Sequence, residues 1–518
     1  MSESVHDEPI GTSRREFLRW LSLSGVGIAA GATLPAGWAS AAQAAPGPDV
    51  TVLRHGTLID GTGSRPRPDT TVVLIGDRIV WTGDDQHRVP VPAGARVVDI
   101  RGKFVIPGLW DMHTHGSDFV DIFPPLHIAN GVTGTREMWG YPENRAVRDQ
   151  IERGELLGPR ITMASSIIDG PVTLLGPPVT LVATPAEARA AVHTAQAEGS
   201  DFVKTYSYLG RDEFAAIIDE AAKLGLPVAG HWPYRVPFLD AAEGGLRSFE
   251  HLFGLSLATS SREAEYRAIM EATPFDPAQP RVFFNLAREL ERQSAQSYHP
   301  GKARAVFARL ARAGSWQSPT LRVNQVMTSP AETFASDPRL KYMPAVIRDF
   351  WAAVIKVNAP STPEKIVQYR EFFQAQLRLV GAASAGGVSI IGGTDCLNPY
   401  CLPGFGTHDE LALLVEAGLS PMRALQTVTR DAARYLGVDR TMGTVSAGKV
   451  ADLVVLDANP LADIRNTQRI HAVVARGRLI TSEQRQRMLA DVEAAANAPT
   501  DPARSAAVLA RVACGCHA

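Results

Sequence analysis

The fold of this chain is indicated by one stretch, Val105-Ile106-Pro107-Gly108-Leu109-Trp110-Asp111-Met112-His113-Thr114-His115. An apolar, strand-like run leads there into two histidines. His113 and His115 lie two positions apart, so on a β-strand both side chains point to the same side and can share one metal ion. The stretch therefore predicts a strand that ends in a metal-binding pair.

The same arrangement recurs along the middle of the chain, where four further apolar runs each lead into a residue able to bind a metal. Because the carboxyl ends of the strands of a (β/α)₈ barrel converge on one mouth, side chains placed there meet. A single histidine at a strand end is more often structural, but an ordered set of six is far more specific. The set is His113, His115, Lys204, His231, His251 and Asp395.

Residues 106–436 alternate strand-like apolar runs with helical stretches, which is typical of a parallel α/β fold. Thr184-Pro185-Ala186-Glu187 predicts a capping box that opens a helix, and an amphipathic helix over residues 212–224 is predicted to stop at Gly225. Residues 260–380 exceed one barrel repeat and are rich in charged helical residues. We interpret them as a helical insertion around one strand at residues 316–321.

Both ends of the chain are rich in short β-like runs, at residues 45–105 and again at residues 437–482. Two β-rich ends that flank a long α/β segment predict one small sheet domain built from both. Residues 483–518 are expected to form a helical extension and a tail that contains Cys514 and Cys516.

The composition limits the classes of partner. The 518 residues carry 52 Lys and Arg against 54 Asp and Glu, a net charge of -2, which argues against nucleic acid or an anionic membrane. Apolar residues make up 45% and charged residues 20%, as in ordinary globular proteins. Four cysteines are too few for a disulfide scaffold. A small-molecule substrate is therefore expected.

Residues 1–44 resemble a bacterial twin-arginine export signal. Ser13-Arg14-Arg15-Glu16-Phe17-Leu18-Arg19 precedes a moderately apolar run, and Ala42-Gln43-Ala44 has the small residues of a cleavage site. The alternative is a membrane anchor, which Gly, Ser and Pro35 within the segment disfavour. We expect a periplasmic or secreted protein with no membrane span after cleavage.

With these motifs the chain resembles the amidohydrolase superfamily, in its binuclear-metal branch near imidazolonepropionase and the prolidase-like dipeptidases. The resemblance covers residues 50–480 and is strongest at residues 107–115 and at Gly443-Thr444-Val445-Ser446-Ala447-Gly448-Lys449-Val450-Ala451-Asp452-Leu453-Val454. It implies a metal-dependent (β/α)₈ TIM barrel with a composite β-sandwich-like domain from both ends of the mature chain.

The resemblance also implies a metal centre. His113, His115 and Asp395 would hold one divalent ion, His231 and His251 a second, and Lys204 would bridge both as a carbamate. Free lysine is cationic and cannot ligate, whereas its CO₂ adduct offers two anionic oxygens. Zn²⁺ suits imidazole and carboxylate ligands, with Mn²⁺ or Co²⁺ in its place as alternatives. A salt-bridged or surface Lys204 is disfavoured by its position after an apolar strand.

By the same resemblance, a metal-bridging hydroxide would attack a carbonyl, and Asp395 would act as general base and then general acid. The expected activity is hydrolysis of an amide C–N bond in a dipeptide or an N-acyl amino acid. A cyclic amide, a lactone or other ester, or a deaminated ring remains an alternative. An exported binding protein on a decayed amidohydrolase scaffold is a third reading, disfavoured by the retained ligand set. A homo-oligomer is compatible with the sequence.

Four residues are candidates for contacts with the substrate. Arg136 is expected at the end of the second barrel strand, where it either clamps a carboxylate or forms a buried ion pair with Glu137 or another acid. Tyr206 and Tyr234 either line the pocket or pack. His408 is expected in the loop after the last strand.

The remaining histidines and the cysteines carry weaker signals. His127 and His193 lie in helical patterns and are expected to have no chemical role. Cys396 and Cys401 are close enough in sequence for a disulfide at the rim of the site, which an oxidising compartment would permit. The tail cysteines Cys514 and Cys516 either pair, bind adventitious metal or do neither.

Overall fold

The computed structural model describes residues 49–84, 91 and 94–499. The export signal predicted for residues 1–44 and the tail cysteines Cys514 and Cys516 therefore lie outside the described residues. No helix in the described part of the chain combines the length and hydropathy needed to cross a membrane.

Five strands precede the barrel, and they belong to one sheet. They are β1 (Val50–Leu58), β2 (Arg67–Ile75), β3 (Arg78–Asp84), β4 (Arg96–Asp99) and β5 (Phe104–Pro107). β1 pairs with β2 in antiparallel and with β4 and β5 in parallel orientation.

The next ten strands form the barrel and a short flanking pair. They are β6 (Leu109–Thr114), β7 (Val132–Glu137), β8 (Arg160–Met163), β9 (Ile167–Asp169), β10 (Val179–Leu181), β11 (Val203–Thr205), β12 (Val228–Gly230), β13 (Leu246–Glu250), β14 (Trp316–Ser318) and β15 (Ser389–Ile390). β9 and β10 pair with each other beside β11 and lie outside the ring.

Eight parallel strands close into a ring in the order β6-β7-β8-β11-β12-β13-β14-β15. Parallel bridges between Ala164 and Phe202 and between Thr114 and Cys396 join the two parts of this ring. The expected (β/α)₈ barrel is thereby confirmed.

The chain then returns to the first sheet with β16 (Leu453–Leu456), β17 (Ile470–Ala475) and β18 (Arg478–Ile480). β16 pairs with β5 in antiparallel orientation, which gives the strand order β18-β17-β16-β5-β1-β2-β3. The two ends of the described chain thus share one β-rich domain, as the two β-like segments of the sequence predict.

Helices connect the strands and cover the barrel. They are α1 (Phe123–Ala129), α2 (Pro142–Glu152), α3 (Pro185–Ala197), α4 (Arg211–Leu224), α5 (Phe238–Gly244), α6 (Leu255–Ala258), α7 (Glu263–Ala272), α8 (Pro280–Gln296), α9 (Pro300–Ala313), α10 (Leu321–Met327), α11 (Ala345–Asn358), α12 (Pro363–Ala385), α13 (Phe405–Glu416), α14 (Pro421–Thr427), α15 (Arg430–Leu436) and α16 (Ser482–Ala496), with 3₁₀ helices at Pro338–Tyr342 and Ile464–Gln468.

Both helix boundaries that the sequence indicates are confirmed. The Thr184 side chain accepts a hydrogen bond from the Glu187 amide, and the Glu187 carboxylate accepts one from the Thr184 amide, so a capping box begins α3. α4 ends at Gly225, whose φ of 71° lies in the left-handed region that glycine adopts readily.

The predicted insertion consists of two groups of helices, α7–α9 before β14 and α10–α12 after it. β14 is shorter than the predicted strand at residues 316–321 and ends at Ser318. Pro319 has no amide hydrogen to continue a strand ladder, and Thr320 adopts a φ of 44°, so the chain turns there into α10.

The two faces of strand β16 pack into different cores, one shared with the barrel and one within the sheet domain. Val454 and Leu456 belong to the large core that also contains Ile106 and the barrel strands. Leu453 and Val455 face the other way, into the core of the sheet domain. This alternation joins the two domains along one continuous apolar interface.

We expect the Ile106→Ala variant to lower the free energy of unfolding by about 2–5 kcal/mol, because Ile106 is fully buried in that interface. The matched control is Val97→Ala in β4, where the side chain is 49% exposed and the expected change is within about 0.5 kcal/mol. Chemical denaturation of both variants measures the difference, and equal losses would contradict the assignment of this core.

Candidate metal centre

The six ligand-type residues lie at the carboxyl ends of five barrel strands. His113 and Lys204 lie within β6 and β11, whereas His115, His231 and His251 follow β6, β12 and β13 directly. Asp395 lies in the segment after β15. All six residues lie at the barrel mouth and are at most 4% exposed.

The structure brings these side chains into one cluster, here called the cage. The carboxylate oxygen Oδ1 of Asp395 lies 3.0 Å from Nε2 of His115 and 3.4 Å from Nε2 of His113. The ligand atoms of these three residues all lie within 4.8 Å of one another. The ring of His251 lies 4.6 Å from that of His113 and 4.9 Å from that of His231, centre to centre.

Burial keeps His113 and His231 of the cage neutral. It lowers the pKa of His113 to about 4, with Asp395 opposing and the charge of Lys204 adding to the shift. It also lowers the pKa of His231 well below the ordinary value, again with Lys204 contributing. At neutral pH each of these imidazoles therefore offers a nitrogen lone pair, which a metal requires.

Three of the imidazoles are held at Nδ1 by neighbouring side chains. Nδ1 of His113 lies 2.8 Å from Oε2 of Glu250. Nδ1 of His231 lies 2.9 Å from Oγ of Ser207, and Nδ1 of His251 lies 2.7 Å from Oγ1 of Thr320. Such contacts orient an imidazole so that Nε2 faces the metal.

The donors of the cage fit divalent metal ions. Within the described residues, Nε2 of His231 is buried and has no hydrogen-bond partner, so its lone pair is available to an ion. Neutral imidazoles beside a carboxylate suit zinc and its neighbours among the divalent metals. A buried lysine among them adds two ligand oxygens only when it carries CO₂.

Arg136 contacts other residues of the protein and helps to hold the cage in place. It does not have the substrate-binding position that the sequence also allowed. It is fully buried and donates from Nη2 to both carboxylate oxygens of Glu250, each at 2.9 Å. Its other donors reach Ser248, Tyr435 and the carbonyl of Met112. The alternative, a buried ion pair, is what the structure contains.

The acid that pairs with Arg136 is Glu250, because its neighbour Glu137 faces elsewhere. One oxygen of Glu137 accepts a hydrogen bond from the Ser117 amide, and the other lies 3.8 Å from Nδ1 of His115. Glu137 and Glu250 thus each lie behind one histidine of the His113–His115 pair. Burial raises the pKa of Glu137 to about 7, whereas Arg136 offsets the burial of Glu250 and holds its pKa below the usual range.

The two tyrosines differ in position. Tyr206 stacks on the His231 ring with centres 4.0 Å apart and an interplanar angle of 24°. Tyr234 packs edge-on against Tyr208 and Trp232, within an aromatic cluster behind the cage. Both are buried, so packing is the role that the structure supports for Tyr234.

His408 is not the loop residue that the sequence predicted. Gly404 is the N-cap of α13, which begins at Phe405 and contains His408. Both ring nitrogens of His408 are engaged, Nδ1 with Thr467 Oγ1 and Nε2 with the carbonyl of Asn130, each at 3.0 Å. A buried histidine with both nitrogens satisfied inside the protein has no capacity left for a substrate.

The disulfide that the sequence permits between Cys396 and Cys401 is absent, since both are buried free thiols. The sequence analysis missed Glu250, Ser207 and Thr320. The signal available for Glu250 was its position at the end of β13. His251 has a φ of 62°, and this turn of the backbone allows two consecutive residues to reach His113.

Comparison with known proteins agrees with this architecture. The model of the amidohydrolase family matches residues 375–480, a segment that contains Asp395 and the return to the sheet domain. A 64-residue stretch is 47% identical to imidazolonepropionase of Streptomyces griseus subsp. griseus, covering 12% of this chain and 16% of that protein. Over residues 375–480 the chain is therefore similar to the amidohydrolase family.

Solved structures of amidohydrolases share the fold. Bottromycin amidohydrolase superimposes with a TM-score of 0.68 at 23% identity, over 87% of this chain and 91% of that one. A Xaa-Pro dipeptidase with bound methionine superimposes with a TM-score of 0.59 at 20% identity, over 84% of this chain and 100% of that one. These likenesses establish the barrel and the sheet domain.

We expect that removal of either partner of the Arg136–Glu250 pair is strongly destabilising. Arg136→Met leaves the Glu250 carboxylate buried without its countercharge, at a cost of about 3–5 kcal/mol. Glu250→Gln leaves the guanidinium in the same state. The double variant removes both charges and is expected to recover part of the loss. Denaturation of the four proteins gives the coupling energy, and a coupling below about 0.5 kcal/mol would contradict the pair.

Proposed function

We propose that this protein is a metal-dependent amidohydrolase that cleaves an amide C–N bond in a small molecule, such as a dipeptide or an N-acyl amino acid. The observation that supports the proposal is the cage itself. Six side chains from positions 113 to 395 meet in one buried cluster, in which His113, His115 and Asp395 each place a ligand atom within 4.8 Å of the others. A barrel mouth is where enzymes of this fold act.

We assign His113, His115 and Asp395 to one ion, His231 and His251 to the second, and a carbamate on Lys204 to both. When bound, two such ions supply Lewis acidity that polarises a carbonyl and lowers the pKa of a water molecule. We propose Zn²⁺ as the resident metal, because neutral imidazoles dominate the donor set.

Asp395 is the proposed general base and general acid. Its carboxylate lies at the centre of the cage, within 3.4 Å of nitrogens from two histidines. The side chain is fully buried, so a proton taken from the attacking water stays close and is returned to the leaving nitrogen rather than to solvent. The imidazoles around it hold the carboxylate in position for both transfers.

Lys204 has a place in this chemistry only after it reacts with CO₂. The neutral Nζ amine forms a bond to the carbon of CO₂ while one C–O π bond of CO₂ shifts onto oxygen. Nζ then releases a proton to water, which leaves an N-carboxylate with one negative charge. The residue is 1% exposed, and its charge acts on the imidazoles of His113 and His231. Its backbone amide donates to Ser165 Oγ at 3.0 Å, which fixes the strand at this point.

The substrate class rests on chemistry and on similarity together. Bottromycin amidohydrolase and the Xaa-Pro dipeptidase bear names that refer to amide substrates, and both share the fold. A panel of dipeptides, N-acyl amino acids and lactones, assayed with the Zn²⁺-loaded protein, tests the proposal. Turnover of amides supports it. Turnover of lactones alone, or of no member of the panel, would contradict the proposed bond.

We also propose that the protein is exported by the twin-arginine route to the periplasm or the medium. The Arg14-Arg15 pair and the small residues before position 45 support this. N-terminal sequencing of the mature protein from the native host is expected to begin at Ala45. A mature protein that begins at Met1 would contradict export.

The Asp395→Asn variant is expected to lose activity, because the amide side chain cannot accept the proton. We expect kcat/KM to fall by at least about 10²-fold, with the circular dichroism spectrum and thermal midpoint retained. The matched control is Asp118→Asn, a carboxylate of the mouth region outside the cage. Near-parental activity of Asp395→Asn would contradict its assignment.

Reconstitution of the metal centre is expected to depend on CO₂. Metal-stripped protein supplied with Zn²⁺ in CO₂-free buffer should regain little activity, and added bicarbonate should restore it. Lys204→Arg keeps the positive charge but forms no stable carbamate, so its metal content and activity should not respond to bicarbonate. Equal recovery of the parent with and without bicarbonate would show that Lys204 acts in another way.

A further inference from the structure

A second group of metal-ligating side chains lies outside the cage. It consists of Asp111 of β6, His127 of α1 and Cys396 of the segment after β15, here called the thiol cluster. One ligand atom from each residue lies within 4.8 Å of the other two. All three residues are fully buried, and the cluster shares no residue with the cage.

His127 has the protonation pattern of a metal ligand. Its Nδ1 lies 3.1 Å from the carbonyl oxygen of Phe123, which can only accept, so Nδ1 carries the hydrogen and donates it. In the neutral ring the other nitrogen, Nε2, then carries a lone pair that can accept a hydrogen bond or bind a metal. Among the described residues this buried Nε2 meets no hydrogen-bond partner. An imidazole fixed at Nδ1 by a backbone carbonyl is the arrangement that orients metal-binding histidines.

Cys396 supplies a sulfur ligand at the same place. Its thiol is fully buried and in no disulfide. Its backbone is fixed on both sides, because its carbonyl accepts from the His115 amide at 3.1 Å and its amide donates to Thr394 Oγ1 at 3.1 Å. The sulfur therefore cannot move far from Asp111 and His127.

Asp111 completes the cluster with a carboxylate. Oδ1 accepts from the amides of His113 and Thr394 at 3.2 and 3.0 Å. Oδ2 accepts from the hydroxyls of Thr394 at 2.6 Å and Thr407 at 3.2 Å. The Thr407 contact is long for a hydroxyl donor, and rotation of this hydroxyl leaves an Oδ2 lone pair for an ion.

We infer that Asp111, His127 and Cys396 form an additional site for one divalent metal ion, for which zinc is the best match. A sulfur, an imidazole nitrogen and a carboxylate oxygen form a donor set typical of Zn²⁺, and tetrahedral coordination leaves one position for water. Binding releases the thiol proton to solvent. The negative charges of the Cys396 thiolate and the Asp111 carboxylate then balance the two positive charges of the ion.

The segment that this ion would fix has an unusual backbone. Asp395, Leu397 and Tyr400 all have positive φ values, of 60°, 26° and 56°. Such conformations are costly for residues with a side chain and persist only where the surroundings hold them. An ion on Cys396 would tie this segment to β6 and α1 next to Asp395, which makes the site structural.

Titration with Co²⁺ tests the thiol cluster through an absorption spectrum, which is independent of catalytic activity. Co²⁺ bound to a thiolate gives a charge-transfer band in the near-ultraviolet, and the cage contains no sulfur. The full-length protein, with Cys514→Ser and Cys516→Ser to remove the tail thiols, is titrated with Co²⁺ after metal removal. We expect three ions per chain and a thiolate band.

Single-residue variants show which thiol gives rise to the charge-transfer band. Cys396→Ser should lose it together with one ion per chain, whereas the matched control Cys401→Ser, another buried thiol of the same segment, should keep both. Should Cys396→Ser fail to fold, His127→Gln serves as the second variant, and one ion fewer with a weakened or shifted band is expected.

Two outcomes separate this inference from the proposed function. Two ions per chain with no thiolate band would overturn the additional site and leave the cage unaffected. A band with only one ion per chain would support the site and contradict the two-ion cage. Retention of the band in Cys396→Ser would also overturn the inference.

Discussion

The hydrogen bonds that close the barrel between β6 and the segment after β15 are the constraint on which the rest of the structure depends. The Met112 amide donates to the Gly392 carbonyl at 2.9 Å, and the Asp395 amide donates to the His113 carbonyl at 2.8 Å. These bonds join positions that are 280 and 282 residues apart in the sequence. Without them Asp395 would have no fixed relation to the two histidines of β6, and the cage would have no carboxylate.

Charge balance in the interior explains how so many polar groups are buried beside that closure. Arg136 and Glu250 neutralise each other beneath the cage, and Glu250 in turn holds His113. A buried ion pair contributes little to stability by itself, but removal of one partner is costly. The pair therefore acts as a fixed base for the residues of the cage.

Whether a feature of this arrangement could be predicted from the sequence depends on how far apart its interacting residues lie along the chain. The strands that carry or lead to His113, His231 and Asp395 were predictable because apolar runs and their terminal residues are local signals. The role of Arg136 was not, because its partner Glu250 lies 114 positions away and competes with an acid that is adjacent in sequence. His408 was misplaced for a related reason. A glycine-rich segment indicated a loop, whereas Gly404 caps a helix whose histidine meets Thr467.

The thiol cluster also depends on residues that are far apart in the sequence. His127 was expected to carry no chemistry, since a lone histidine in a helical pattern is usually structural, and nothing near it in the sequence suggests otherwise. Its partners come from β6 and from the residue after Asp395, so barrel closure creates both the cage and the thiol cluster. Asp111 is two positions from His113, and Cys396 adjoins Asp395. Any ion held by the cluster would therefore act on the positions of two cage ligands through the backbone, and the two sites would be coupled by the geometry of one strand pair.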